Sequence, residues 1–390
     1  MKTIRKSIAI FLVLLTLFTT CSVSIPVFAT YEKATDGNVV VDKVTDGNVP
    51  EAEVENEEEA TILSEVTEKR SETEKHFLMS DGSFMVAQYS QPVHYQSDDG
   101  EWVDYDNSLG EIDATTEQAA LFGTDEIYST NNQVENVVFA KKSNSNTLIS
   151  YEAKDYPISF NYQSAKKSNI KIVEKKEELK GNDAFLTLPN LTQEVLYENV
   201  FSGVDLQYFV STNELKENII LKNASAQNTF TINYNIGSLT AKAVDSRTVN
   251  LMSGGELIYT ISAPYMYDAN GEKSENLTLT VKKNKNGKLT LVLSADSEWI
   301  KEDGRAFPVT IDPTIMTEQD IDTVTTAMVA SYPGYADKNR AHFAETIVGA
   351  EKDYGYCRVL TKFELPNLNK GDIIVSGVLN VYNMQMYYSD

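Results

Sequence analysis

The chain has 390 residues, of which 42% are hydrophobic, and its 57 acidic residues outnumber 34 basic ones for a formal charge of -23. This length accommodates two or three domains with ordinary packed cores. Because so acidic a surface repels phosphate backbones, we expect no nucleic-acid partner. There are two cysteines, and only Cys357 lies outside the amino-terminal segment discussed next, which excludes a disulfide framework.

The amino terminus has the pattern of a secretory signal peptide. Three basic residues precede the apolar run 8–18, and small residues around Val27 and Ala29 predict cleavage after Ala29. The apolar run is too short to span a bilayer, and no second run of membrane length follows. We therefore predict a secreted protein that has no membrane contact after cleavage.

Residues 30–75 have the composition of a disordered acidic linker. The pentapeptide TDGNV occurs twice, at 35–39 and 45–49, and the segment 51–74 contains ten glutamates. Low hydrophobicity and self-repelling charge leave too little apolar surface to form a core. The linker could serve as a spacer or have no role of its own.

Residues 76–315 contain a series of short strand-like runs divided by turn residues, whereas helical periodicity is nearly absent. This pattern predicts a mainly β fold, a β-sandwich or meander scaffold in one or two subdomains. The sequence Lys285-Asn286-Gly287-Lys288 predicts a hairpin turn. The predicted strands are 84–89, 93–95, 102–105, 134–140, 147–152, 158–162, 170–174, 185–188, 204–210, 219–221, 230–236, 257–262, 277–282, 289–294 and 308–311.

The segment 356–388 predicts two further strands, at 358–364 and 373–382, joined as a hairpin. A hairpin so rich in Val, Leu and Tyr needs more sheet against it, so we expect the chain to be a fragment of a longer protein. Its last part, 378–388, should present an open edge with exposed apolar residues.

Two segments carry a resemblance to known families. The stretch LYENVFSGVDLQYFVSTNELKENIIL at 196–221, with FPVTIDP at 307–313, resembles the β-rich amino-terminal region of large wall-associated bacterial proteins of the Rhs/YD-repeat type. The motifs YPG, RVLTKFELP and GDII, which begin at residues 332, 358 and 371, resemble the DNRLRE domain, also classified as carbohydrate-binding module family 96. Together the two resemblances cover roughly residues 76–390.

This resemblance implies a secreted, cell-wall-associated protein, truncated at its carboxyl end, whose partner is a polysaccharide or cell-wall glycan. The implied organisation is a signal peptide at 1–29, the linker at 30–75, the scaffold at 76–315 and a partial, jelly-roll-like carbohydrate-binding module at 316–390. The module would lack the later strands that complete a binding face.

Catalytic motifs are not recognisable in the sequence. His76, His94 and His342 have no second ligand at metal-like spacing, and there is neither a nucleophile elbow nor a phosphate-binding loop. Cys357 lies inside a predicted strand, where a small core residue is the more common role. Acid pairs suited to glycoside hydrolysis depend on spatial separation, which the sequence does not supply. We therefore predict that the protein is not an enzyme.

Cofactors are not implied, although Asp320 and Asp322 are weak candidates for holding a structural calcium ion. Glycan binding requires flat aromatic faces with polar side chains beside them. The candidate ligand-binding residues are Tyr332, Tyr335, Arg340, Tyr354 and Tyr356. For any one tyrosine, packing in the core or at a sheet edge is the more common role.

The leading hypothesis is a non-catalytic surface protein that binds cell wall or polysaccharide. Two alternatives remain open. The chain could be the non-catalytic part of a secreted polysaccharide lyase or glycoside hydrolase, or it could be a structural adhesin scaffold.

Overall fold

The fold is taken from a computed structural model, which describes residues 27–33, 60–89, 91–131, 136–153, 155–173, 180–188, 190–212, 214–263, 265–317, 324–331, 349–351, 355–363 and 372–378. Its strands in chain order are β1 (Val27–Lys33), β2 (Ile62–Glu65), β3 (Glu74–Met79), β4 (Phe84–Gln88), β5 (His94–Gln96), β6 (Trp102–Asp104), β7 (Leu109–Asp113), β8 (Glu126–Thr130), β9 (Asn136–Ala140), β10 (Ile149–Ala153), β11 (Tyr156–Tyr162), β12 (Ile170–Val173), β13 (Gln193–Phe201), β14 (Val204–Val210), β15 (Glu214–Leu221), β16 (Thr229–Asn235), β17 (Thr240–Ala243), β18 (Thr248–Ser253), β19 (Glu256–Ser262), β20 (Met266–Tyr267), β21 (Lys273–Ser274), β22 (Leu277–Lys285), β23 (Lys288–Ala295), β24 (Val309–Ile311), β25 (Thr314–Thr317), β26 (Val324–Ala330), β27 (Gly349–Glu351), β28 (Gly355–Phe363) and β29 (Asp372–Val378). The helices are α1 (Thr116–Phe122), α2 (Asp183–Leu186) and α3 (Ser297–Ile300), with a short 3-10 helix at Thr67–Lys69.

The predicted mainly β fold is confirmed, and every strand pairing is antiparallel. The largest sheet contains eleven strands, with the order β12-β13-β14-β15-β25-β19-β18-β17 and the short strands β20, β21 and β24 attached beside it. A second sheet has eight strands in the order β22-β23-β16-β11-β10-β9-β8-β7. The smaller sheets have five strands (β2-β3-β4-β1-β29), three strands (β26-β28-β27) and two strands (β5-β6).

The two largest sheets pack on each other and share one apolar core. Inward residues alternate with outward ones, as with Leu289, Leu291 and Leu293 of β23, which face the core. Aromatic rings connect the layers: Tyr151 of β10 lies 5.5 Å from Tyr259 of β19, measured between ring centroids. Such offset aromatic pairs stabilise by about 0.5–1.5 kcal/mol beyond the burial of their area. The core is therefore a sandwich interior filled from both sides.

Strand β15 is buried on both of its faces. One face contributes Leu215, Ile219 and Leu221 to the apolar core. The other face carries Lys216, which forms a buried ion pair with Asp312, at the end of β24. A buried lysine requires such a partner, because an isolated buried charge costs several kcal/mol.

Helices are few, and the structure corrects two local expectations. Helix α1 was not predicted, yet Thr115 and Gln118 form a reciprocal capping box and Gly123 ends the helix in the left-handed conformation. The segment 185–188 was predicted as a strand, but Phe185 and Leu186 lie in the one-turn helix α2. Leu186 packs into the small core beside β3 and β4, and a short apolar run of this kind does not distinguish a strand from a helix.

Part of the range predicted as a disordered linker is structured, since β1 (Val27–Lys33) overlaps its start and β2 lies within it. Strand β2 pairs with β3, and Ile62 is buried in the small core. The negative charge that suggested disorder is locally compensated, because Glu65 pairs with Arg70 at 2.6 Å. Residues 34–59 lie outside the described part of the chain.

The carboxyl-terminal strands do not form the predicted hairpin. Strand β28 pairs with β26 and β27, whereas β29 pairs with β1. Alternating apolar residues specify a strand and its faces but not its neighbour, so two consecutive strands can join different sheets. The predicted open edge at 378–388 lies outside the described residues except for Val378. Within the residues that the structure covers, no helix is long and apolar enough to cross a membrane.

The predicted hairpin at 285–288 is confirmed, since Lys285 of β22 faces Lys288 of β23. Asn286 and Gly287 have φ values of 54° and 69°, the two positive values that a type I′ turn requires. A Cβ at Gly287 would lie 2.4 Å from the backbone oxygen of Gly237. The turn is therefore held against its neighbour by close backbone contact.

We expect Gly287→Ala to destabilise the fold by about 3 kcal/mol, since left-handed strain of about 1–2 kcal/mol is joined by a backbone clash. Gly254→Ala is the matched control, because Gly254 also has a positive φ, of 57°, but has no atom within 4 Å of its Cβ position. The free energy of unfolding in urea should fall clearly less for the control. Equal losses would show that the contact with Gly237 contributes nothing.

Candidate functional site

Most of the residues predicted to bind glycan lie outside the described part of the chain. These are Tyr332, Tyr335, Arg340 and Tyr354, and the calcium candidates Asp320 and Asp322 and the third histidine His342 lie outside it as well. Only Tyr356 is described. The geometry of the predicted site therefore rests on one strand, β28.

Tyr356 is the most exposed large apolar or aromatic side chain among the described residues, at 76%. Side chains alternate along β28, so that Cys357 is buried while Tyr356 and Arg358 are exposed on the same face. Residues two apart on a strand are separated by about 7 Å. Tyr356 also donates its backbone N–H to Ser331 Oγ at 2.8 Å, which fixes the strand at this point. The strand thus presents an aromatic face and a cation to solvent.

Five titratable side chains form a cluster in the amino-terminal part of the structure. It brings together Glu65, Arg70, Lys75, His94 and Asp104, contributed by β2, β3, β5, β6 and the segment after the 3-10 helix. Arg70 donates to Glu65 at 2.6 Å and to Asp104 at 2.9 Å, and Lys75 donates to Asp104. These residues are spread over forty positions of the sequence, so no short motif predicts that they lie together.

His94 is fully buried within this cluster. Its Nδ1 lies 2.6 Å from the backbone oxygen of Ser71, and since that carbonyl can only accept, Nδ1 carries the proton. Its Nε2 lies 3.5 Å from Asp104 Oδ1. His76, the other described histidine, is also buried, and its Nε2 lies 3.5 Å from Glu74.

The cluster holds its carboxylate in the charged form. Burial opposes ionisation of Asp104, but the hydrogen bond from Lys75 and the charges of Lys75 and Arg70 outweigh it and hold the pKa of Asp104 well below its usual range. Both cations already have carboxylate partners. The arrangement therefore cross-links β2, β3 and β6 and has no uncompensated cation with which to hold a phosphate.

Metal ligation has no support from the described residues, among which no group of three His, Cys, Asp or Glu side chains could hold an ion. This finding does not apply to Asp320 and Asp322, which lie outside the described residues. The calcium expectation for that pair remains a prediction.

Glu217 is a carboxyl group buried in the interior between the two largest sheets. It lies on β15 and accepts hydrogen bonds from Tyr162 of β11 at 2.7 Å and from Tyr208 of β14 at 2.5 Å. Because Tyr162 belongs to the eight-stranded sheet and Glu217 to the larger one, the carboxyl group joins the two layers. Its own backbone N–H donates to Pro313 at 2.9 Å.

Burial raises the pKa of Glu217 to about 7, although the two tyrosine hydroxyls act in the opposite direction by stabilising the carboxylate. Burial likewise raises the pKa values of Tyr162, Tyr208 and Tyr234, so these phenols stay protonated. The sequence offered one signal for this site, a glutamate in the middle of a strand otherwise rich in apolar residues. Glu217 has the same parity as Leu215, Ile219 and Leu221, so alternation along β15 places it on the inward face.

Comparison with known proteins places the chain near bacterial wall-associated proteins. It is 27% identical over 278 residues to the tRNA nuclease WapA of Bacillus subtilis strain 168, a match that covers 69% of this chain and 11% of the relative. It is 26% identical over 351 residues to the tRNA3(Ser)-specific nuclease WapA of Bacillus spizizenii, covering 85% of this chain and 14% of the relative. A protein of Geobacillus stearothermophilus described as wall-associated is 22% identical over 213 residues, which are 53% of this chain and 75% of that protein. No known family profile matches the chain.

These relatives support the predicted similarity to wall-associated surface proteins. The resemblance to the DNRLRE and carbohydrate-binding families has no matching family profile and stays a prediction. The chain spans a small part, 11% to 14%, of the length of the WapA nucleases that it matches.

The prediction that the protein is not an enzyme is wrong by this comparison, because three relatives are named as tRNA nucleases. That prediction rested on a search for catalytic motifs in 390 residues. Because the chain matches only 11% to 14% of the WapA nucleases, the absence of catalytic motifs from its 390 residues does not show what the longer proteins catalyse.

Glu217 makes the stability of the fold depend on pH. The folded pKa of about 7 lies above the ordinary value of 4.5, so the stabilising contribution of this group is fully present below about pH 4.5 and is lost as the pH rises through 7. At 1.36 kcal/mol per pKa unit, the loss is roughly 3 kcal/mol. The facing groups Tyr162, Tyr208 and Tyr234 do not change charge in this window.

We expect Glu217→Gln to remove that part of the pH dependence, because the amide can accept from one tyrosine hydroxyl and donate to the other without an ionisable proton. The free energy of unfolding in urea, measured at pH 5 and pH 8, gives the test. The difference between the two pH values should be smaller in the variant than in the natural protein. An unchanged difference would contradict a raised Glu217 pKa.

Proposed function

We propose that the protein is a cell-wall surface protein that binds wall polysaccharide through the exposed face of β28. The observation that carries the proposal is the exposure of Tyr356, which is unusual for an aromatic side chain on a strand. Similarity to wall-associated proteins supports the location. Glycan binding goes beyond what those relatives establish.

The chemistry of this face suits a sugar. A tyrosine ring offers a flat apolar surface to the C–H faces of a pyranose, and its hydroxyl remains free to bond at the rim. Arg358, on the same face and exposed, supplies hydrogen-bond donors beside the ring. The neighbouring strands β26 and β27 pair with β28 on both sides, so the ring projects from the middle of a three-stranded sheet.

Binding to purified cell walls tests the proposal. Tyr356→Ala should weaken retention about tenfold, the equivalent of roughly 1.4 kcal/mol, whereas Tyr356→Phe, which keeps the ring, should retain most of it. Val244→Ala is the control, because Val244 is an exposed apolar residue on a different part of the structure, at 56% exposure. Equal retention by the Ala variant and the natural protein would refute a role for this face, and adhesion without any glycan binding would indicate a structural adhesin scaffold.

A second candidate function is cleavage of tRNA, which the names of three relatives favour. We propose this activity for the protein as secreted. Because the match covers a small share of each nuclease, the activity does not transfer to particular residues of this chain.

The test is incubation of purified tRNA with the protein isolated from the medium or walls of the producing cells. Fragments of defined length, absent when cells with the gene deleted are processed in the same way, are the expected result. Intact tRNA after incubation with wall-bound and released protein alike would remove this candidate.

A further inference from the structure

The strongest local departure from the acidic character of the chain is a group of lysines at one corner of the sandwich. Lys282, Lys283 and Lys285 end β22, Lys288 begins β23, and Lys242 lies on β17 beside them. All five are exposed. We call this group the lysine tip.

No acid neutralises the lysine tip within its own strands. Strands β16, β17, β22 and β23 contain neither Asp nor Glu, although the whole chain has 57 acidic residues. Among the described residues none of the five lysines takes part in an ion pair. The tip is therefore a concentrated positive field on a chain of net charge -23.

The arrangement brings like charges together rather than separating them. Lys285 and Lys288 are direct cross-strand partners, a placement that is destabilising for like charges. Lys283 lies on the same outer face as Lys285, about 7 Å along the strand. A β-bulge at Lys282 inserts one extra residue there and redirects its side chain.

The backbone beneath these lysines is held in place. The type I′ turn at Asn286 and Gly287 closes the hairpin, and the Gly287 carbonyl accepts from the Ile236 N–H at 2.8 Å. Asn284 donates to the backbone oxygen of Ala241 at 2.9 Å, which ties β22 to β17 and so places Lys242 near the hairpin. Because the backbone is already ordered, binding there would not require it to be ordered first.

A neutral polar track continues from the tip across the outer face of the eight-stranded sheet. Thr290 of β23 donates to Asn233 of β16 at 3.2 Å, and Asn233 donates to Asn161 of β11 at 3.3 Å. These side chains offer hydroxyl and amide groups on adjacent strands. Such a surface suits a polymer that carries both anionic groups and hydroxyls.

We propose that the lysine tip binds an anionic, phosphodiester-linked polymer of the cell wall. All five cations are lysines, which bind phosphate as point charges. The location at the wall rests on the proposed function, whereas the charge of the ligand rests on the tip itself. The occupant is a wall polymer rather than RNA because the proposed location is the wall, and binding of tRNA is the alternative outcome of the test.

The test compares two triple variants with the same change of charge. Lys283, Lys285 and Lys288 are replaced by Gln in one, and Lys166, Lys167 and Lys180, which are exposed and lie elsewhere, in the other. Both should unfold at the same temperature as the natural protein, which shows that the fold is retained. Binding is measured to whole walls, to walls stripped of phosphodiester-linked polymers with hydrofluoric acid, to the soluble polymer released by extraction, and to tRNA.

We expect the tip variant to bind the soluble polymer at least tenfold more weakly and with a shallower dependence on salt, while the control variant binds as the natural protein does. Equal losses in both variants, or no loss in either, overturn the proposal, as does tighter binding of the tip to tRNA than to the polymer. Self-association of the tip variant with unchanged binding would show that the lysines only protect the edge strand β22, and would also overturn it.

This design separates the inference from the function on which it rests. The soluble polymer tests the tip directly, and whole walls test the face of Tyr356. If Tyr356→Ala has no effect on wall binding but the tip variant no longer binds the polymer, the proposed glycan binding is contradicted and the proposal for the lysine tip is supported. The reverse result contradicts the proposal for the lysine tip and supports glycan binding by the face of Tyr356.

Discussion

The apolar interior shared by two antiparallel sheets is the constraint on which the rest of the structure depends. Every long strand between β8 and β25 gives one face to it, and the polar groups that enter it must find partners there. Glu217 meets that requirement with two tyrosine hydroxyls from opposite layers. Lys216 meets it with Asp312 on the other face of the same strand. Strand β15 is thus fixed by polar contacts on both sides as well as by packing.

The surface features relevant to function lie outside this interior and depend on it for position. The lysine tip projects from a hairpin whose other residues fill the core, and the acidic chain elsewhere makes the tip stand out electrostatically. Tyr356 lies on a smaller sheet with its own buried residue, Cys357. The two proposals therefore use different kinds of contact, charge for an anionic polymer and an aromatic ring for a neutral sugar.

Local patterns predicted much of the fold because strands alternate and turns have specific chemistry. The hairpin at Lys285 to Lys288 follows from Asn286 and Gly287, which tolerate positive φ, and alternation located most of the strands of the sandwich. What the patterns lack is information on which strands become neighbours and which faces are covered. The charged cluster around Asp104 and the buried Glu217 depend on such long-range placement, as does the pairing of β29 with β1. No motif recognised in this chain predicted the nuclease activity for which the relatives are named.

The connectivity of the sandwich also determines when it can form. Strand β15 pairs with β24 and β25, about ninety residues later in the chain, and β11 pairs with β16 across more than sixty residues. Because loop-closure entropy must be overcome before such distant contacts form, sheets of this kind fold slowly. The interior cannot close until the segment near Ile311 is available. A chain with this order of pairing stays open for as long as its later strands are held back, a property that would suit the predicted export of the chain before it folds.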